Sequence, residues 1–171
     1  PFTPVFTGVL DDPGDATCII CPSGNYGPPS EKLKSWVREG GRLVLLEGGD
    51  WAFGEKGFGT LDFQREVSLP GTLFAAQLNP RSIYASGYDP ALPISVPVAE
   101  SALPKIRPEG GAVVSFDAKP RLLSGWAWDE TRSQLAGTVW LHDQPYGRGH
   151  VLFFALDPTD RALWPGLEKL L

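Results

Sequence analysis

The sequence predicts an α/β fold: a mostly parallel central sheet flanked by helices, closed by an antiparallel C-terminal hairpin. Three observations predict it. The run Leu43-Val44-Leu45-Leu46 is apolar without alternation, so both its faces should be buried, as in the middle of a parallel sheet. Ahead of it, SEKLKSWVREGG (Ser30–Gly41) places Leu33, Trp36 and Val37 at helical spacing on one face, with Glu31, Lys32, Lys34, Arg38 and Glu39 facing water. Near the C-terminus, His150-Val151-Leu152-Phe153-Phe154-Ala155 is another apolar strand, entered through the turn residues Pro145-Tyr146-Gly147-Arg148-Gly149.

Taken in order, residues 1–16 are punctuated by proline and glycine, and Asp11-Asp12-Pro13-Gly14-Asp15 is a turn-rich lead into a first strand, Thr17–Cys21, buried on both faces. Ser30 is the expected helix N-cap, because Pro28-Pro29 disfavours an earlier start. Gly40-Gly41 ends the helix, since glycine takes the left-handed cap conformation without a Cβ penalty. Strand, helix and strand make a right-handed βαβ unit, whose functional end is the crevice beyond the strand C-termini. Its candidate binding residues are Asn25 and Tyr26 after the first strand and Glu47, Gly48, Gly49 and Asp50 after the second.

Trp51–Gly59 reads as a loop. Val67–Tyr84 holds short apolar pieces broken at Pro70-Gly71 and Asn79-Pro80, and proline-dotted Asp89–Pro108 reads as an extended or edge segment. Strands are expected at Ala112–Phe116, Arg121–Trp128 and Leu135–Leu141, and a closing helix from Thr159 or Asp160. Leu167–Leu171 reads as a helix cut before its cap, so the 171 residues are taken as a single domain that is part of a longer chain.

A net charge of −5 without a basic stripe gives no footprint for a nucleic-acid partner. No apolar run approaches the ~20 residues of a membrane span. Cys18-Ile19-Ile20-Cys21 matches C-x-x-C, but residues three apart on a strand point to opposite faces, which predicts two buried, inert thiols. No second cysteine pair completes a structural zinc site. His142 and His150 are the only histidines, expected roughly opposite each other on a hairpin beside Asp143; two exposed imidazoles there read as solvated. Trp126 and Trp128 lie two apart on a predicted strand and share one face, either as core or interface packing or as a stacking platform for a sugar or peptide. The acidic pairs Glu47/Asp50 and Asp129/Glu130 define no reaction class, and Gly48-Gly49 lacks the spacing of a phosphate-binding or dinucleotide loop.

The succession of Gly24-Asn25-Tyr26-Gly27, Leu33–Val44 and Gly147–Phe153 resembles the class I glutamine amidotransferase-like fold, flavodoxin-like in plan. More narrowly, Ser124-Gly125-Trp126, Leu135-Ala136-Gly137 and Phe154–Arg161 resemble the C-terminal domain of some bacterial zinc carboxypeptidase-like proteins. The resemblance implies an upstream carboxypeptidase A-type domain that performs zinc-dependent peptide hydrolysis and is often exported. Set against the amidotransferase site, Glu47 stands where the nucleophilic cysteine belongs and Gly49 keeps the elbow glycine. Asp157 and Thr159 replace the histidine and glutamate, and Pro158 alone survives. The expectation is therefore a non-catalytic accessory domain with no cofactor or metal of its own, extracellular or periplasmic, whose partner is the upstream zinc domain. Two alternatives accompany it: a carbohydrate- or peptide-binding module at Trp126 and Trp128, and a stand-alone hydrolase using Glu47, Asp50 and Asp157.

Overall fold

The computed structural model describes residues 10–89, 91–106, 110–159 and 166–171, which form one eight-stranded mixed sheet. Its elements are β1 (Cys18–Cys21), α1 (Glu31–Arg38), β2 (Arg42–Leu46), β3 (Phe63–Leu78), β4 (Ile94–Pro104), β5 (Ala112–Ser115), β6 (Arg121–Ser124), α2 (Asp129–Ser133), β7 (Val139–Tyr146) and β8 (Gly149–Phe154). The spatial order is β1-β2-β8-β7-β5-β3-β4, with β6 also paired to β3.

This overturns the predicted helix-flanked, flavodoxin-like and class I glutamine amidotransferase-like plan. Among the named strands, the parallel pairs are β1/β2 and β2/β8, and the remaining pairings are antiparallel. The physical reason lies in what fills the chain between β2 and β8. It is strand rather than helix, so the second face of the parallel trio is covered by sheet. The long β3 carries β4 back over the fold, where Trp140 Nε1 donates to Pro97 O at 2.9 Å and Lys105 bridges Thr138.

The βαβ unit itself forms as its residues dictate. Ser30 Oγ accepts from Leu33 N at 3.2 Å, and Gly40 (φ 122) turns the chain out of α1. Leu33 and Val37 then pack with Leu43, Leu45 and Val151 in one core. The alternate residues Val44, Leu46, Leu152 and Phe154 point the other way into a larger core shared with Phe74, Val96 and Leu103. β2 is thus buried on both faces from Leu43 to Leu46, as its unbroken apolar run requires.

β1 departs from its prediction because it is an edge strand. Its burial alternates, with Ile19 and Cys21 covered by α1 while Cys18 is exposed and Ile20 is 40% exposed. Both thiols are free, but only one is buried. Burial pushes the Cys21 thiol up to about 11, whereas the weaker upward push on Cys18 is opposed by the Arg42 guanidinium. Since the thiolate is the reactive form, maleimide at about pH 8 should label Cys18 alone in the folded chain and both cysteines in denaturant. Mass spectrometry reads the difference, and double labelling of the native chain would contradict this placement.

The remaining segments correct the sequence reading in detail. Val67–Leu78 is not a set of short pieces: β3 runs through Pro70-Gly71, where one register shift against β4, between Ser68 and Thr72, absorbs the missing N–H and Gly71 takes φ 71. β4 is the proline-dotted edge strand anticipated within 89–108. The strand expected over 121–128 stops at Ser124, before Gly125 (φ 91), and the one expected over 135–141 begins at Val139. The closing helix anticipated from Thr159 or Asp160 falls largely on residues outside those described, and Leu167–Leu170 is a single 3-10 turn.

Candidate functional site

At the C-terminal ends of β1 and β2 the expected crevice residues do come together. An ideal Cβ on Gly48 would stand 3.9 Å from Ser23 Oγ, so the two turns touch. Asn25 is exposed, and its Oδ1 accepts from Gly27 N at 3.0 Å, closing a local turn. Tyr26 donates to Pro22 O at 3.2 Å and lays its ring 5.4 Å from that of Trp51. Glu47 is the non-glycine residue with positive φ (55) among those described, and its N–H is spent on Phe154 O at 2.9 Å. Gly48 (φ 65) continues the left-handed turn, and Gly49 is buried against Leu45. Asp50 lies in the first turn of the 3-10 helix Gly49–Ala52. The strained turn is elbow-like, with a carboxylate at its apex.

Among the described residues, neither Asp157 nor either histidine is turned to that apex as a base. Asp157 Oδ1 accepts from both Thr159 N (2.8 Å) and Thr159 Oγ1 (2.7 Å), so this carboxylate caps its own turn. His142 is 1% exposed and stands edge-on to Phe53, closed off from any substrate. His150 sits four residues before the crevice end of β8, about 13 Å away at strand rise. The histidines are also not opposite each other: His142 pairs with Phe153 and His150 with Pro145. His150 Nδ1 instead meets both carboxylate oxygens of Asp143, at 2.9 and 3.1 Å. Asp143 in turn walls a cleft of ≈ 430 Å³ that includes Asn79, Ser82, Gly111 and Ala112.

Trp126 and Trp128 occupy the loop between β6 and α2 rather than a strand, so alternation does not explain their pairing. Their rings nonetheless meet edge to face, with centroids 4.3 Å apart and planes at 76°. They are 63% and 62% exposed, and neighbouring Leu123 is 42% exposed. They therefore belong to the surface, where a contact of this kind fixes two flat apolar faces relative to each other. Arg132 donates to Asp129 Oδ1 at 2.6 Å in the helix that follows. A sequence signal for this exposure existed in Pro120 and Gly125, which confine β6 to a few residues and put the aromatics past its end.

No protein-family model matches the sequence, and no curated protein matches it. Among solved structures the chain is similar to a β-galactosidase from Bacillus circulans sp. alkalophilus, at 15% identity and a TM-score of 0.44. The likeness covers 81% of this chain and 20% of the β-galactosidase, so the chain spans about a fifth of that enzyme's length.

Proposed function

We propose that this chain is a non-catalytic carbohydrate-binding module whose contact surface is the Trp126/Trp128 face. The observation that carries the reading is a pair of tryptophans, each more than three-fifths exposed, in mutual contact. Single exposed hydrophobics are ordinary, whereas a preformed aromatic pair is not. Its size separates the two expected uses. At a side-chain area of up to ~250 Å² each, the two rings offer about 300 Å², well short of the ~800 Å² per partner of a stable protein interface. That footprint suits a short saccharide, whose C–H groups pack on ring faces while its hydroxyls reach the polar rim of Ser124, Asp129 and Glu130. The turn at Glu47 supports the non-catalytic half, because the Asp157 carboxylate is spent on Thr159.

The accessory role in a secreted zinc carboxypeptidase-like protein is the wider form of the same proposal, with the zinc belonging to the upstream domain. An export signal and an H-x-x-E motif in the reading frame before Pro1 would support that frame, and their absence would remove it.

The module is tested with Trp126→Ala and Trp128→Ala on immobilised cellulose, chitin and xylan. Each variant should lose about 2 kcal/mol of binding, roughly thirtyfold, while unfolding stability stays within about 0.5 kcal/mol. A destabilisation of several kcal/mol would assign the pair to packing, and a parent chain retained by none of these glycans but by proline-rich peptide would assign it to peptide recognition.

A further inference from the structure

The face of β1 and β2 turned away from α1 is open at the N-terminal ends of the strands, and it gathers a second set of polar groups. Cys18, Arg42 and His150 are in register across β1, β2 and β8. In-register residues of parallel strands project to the same side, about 4.8 Å from strand to strand. Asp143 reaches the row from β7 and grips His150 Nδ1 with both oxygens. An ionised carboxylate only accepts, so Nδ1 carries the proton and Nε2 is the nitrogen left for a ligand. Arg42 is exposed, and its guanidinium makes no hydrogen bond or ion pair among the described residues. The Tyr84 hydroxyl is buried without a hydrogen-bond partner, although it lies near enough to Asp143 and Arg42 for both charges to act on it. Burial and Asp143 together hold the phenol protonated, pushed up to about 12, so it remains a donor.

We propose that Arg42, His150 and Tyr84 form an oxyanion-binding site, taking the carboxylate or phosphate of a small molecule. The guanidinium supplies the forked donor that both groups fit. His150, held at Nδ1 by Asp143, turns Nε2 to the ligand and donates from it in the imidazolium form. The buried Tyr84 hydroxyl, costly while unpaired, gains the acceptor it lacks. The cleft of ≈ 430 Å³ has Asp143 in its wall and is of a size for the rest of such a ligand. This site is separate from the tryptophan face and does not depend on it.

The test is a titration of the whole chain with inorganic phosphate and, separately, succinate, following the ¹⁵N shift of His150 Nε2 at constant ionic strength set with chloride. The expected result is a saturable shift toward the imidazolium position with one or both probes; phosphate alone, succinate alone or both identifies the anion class. Arg42→Gln should weaken binding about tenfold or more, the worth of a charge-assisted hydrogen bond. Tyr84→Phe should weaken it severalfold while leaving the fold as stable or more so, because an orphaned buried hydroxyl is removed. A shift that grows without saturation, that chloride reproduces, or that neither variant alters would overturn the proposal.

Discussion

Replacing Gly149 by alanine is expected to cost more than about 3 kcal/mol, a large share of the ~5–15 kcal/mol that holds a domain of this size together. A Cβ at this position would lie 2.1 Å from Val37 O and 2.2 Å from Gly41 O. Both obstacles are backbone atoms, so no rotamer change relieves them. The approach is close because the β7–β8 hairpin docks main chain to main chain beneath the C-terminus of α1. Arg148 N donates to Arg38 O at 2.9 Å and His150 N to Gly41 O at 3.3 Å. Making room for one methyl group means moving the hairpin and giving up those bonds. Gly24→Ala is the matched control, since its Cβ would meet only the Tyr26 ring at 3.3 Å. Urea unfolding of the two variants reads the contrast, and a Gly149→Ala midpoint close to the parent's would show that helix and hairpin are not in this contact.

The parts of the fold legible in the sequence were those whose cause is local. Ser30 caps α1, Gly40 ends it, and Leu43–Leu46 needs cover on both faces wherever its partners come from. What periodicity does not encode is the identity of those partners. The neighbour of β2 is β8, more than a hundred residues later, and the layer over its second face is built from strands with broken apolar patterns. Pro70-Gly71 punctuates such a pattern like a loop, yet a bulge between Ser68 and Thr72 lets β3 pass through it. β1 departs from expectation for the complementary reason: an apolar run predicts two buried faces, but Cys18 and Ile20 sit where no described element covers them.

The candidate sites divide in the same way. Asn25, Tyr26 and Glu47–Asp50 were placed at one strand end from topology alone, and that topology holds for β1, α1 and β2. Arg42 and Tyr84 were missed because neither has a chemical partner nearby in sequence. The one available signal is that Arg42 and His150 each stand immediately before an apolar run, which matters only once those strands are known to be neighbours.

Trp140→Ala is the second large effect, at about 3–5 kcal/mol of destabilisation. This ring is 0% exposed and stands edge-on to Phe154 with centroids 5.9 Å apart. Its Nε1 donates to Pro97 O, tying β7 to the edge strand β4 that the chain brings over it. Truncation therefore opens a cavity at the joint between the two layers and also leaves a buried carbonyl without its donor. Trp140→Phe separates the terms: most of the packing is kept and the hydrogen bond is lost, for an expected cost of about 1–2 kcal/mol. Thermal unfolding of both variants, set beside Trp126→Ala and Trp128→Ala, should place one tryptophan in the core and two outside it. Composition alone does not distinguish them, because each sits among strand-forming residues in the last third of the chain. The distinction is tertiary: a ring whose N–H reaches a carbonyl of another layer is held by the fold, and a ring left mostly exposed beside an exposed neighbour is held ready for something else. Should Trp140→Ala cost less than about 1 kcal/mol, the β3–β4 layer would not be packed on the parallel strands as described, and the cover on the second face of β2 would have to come from elsewhere.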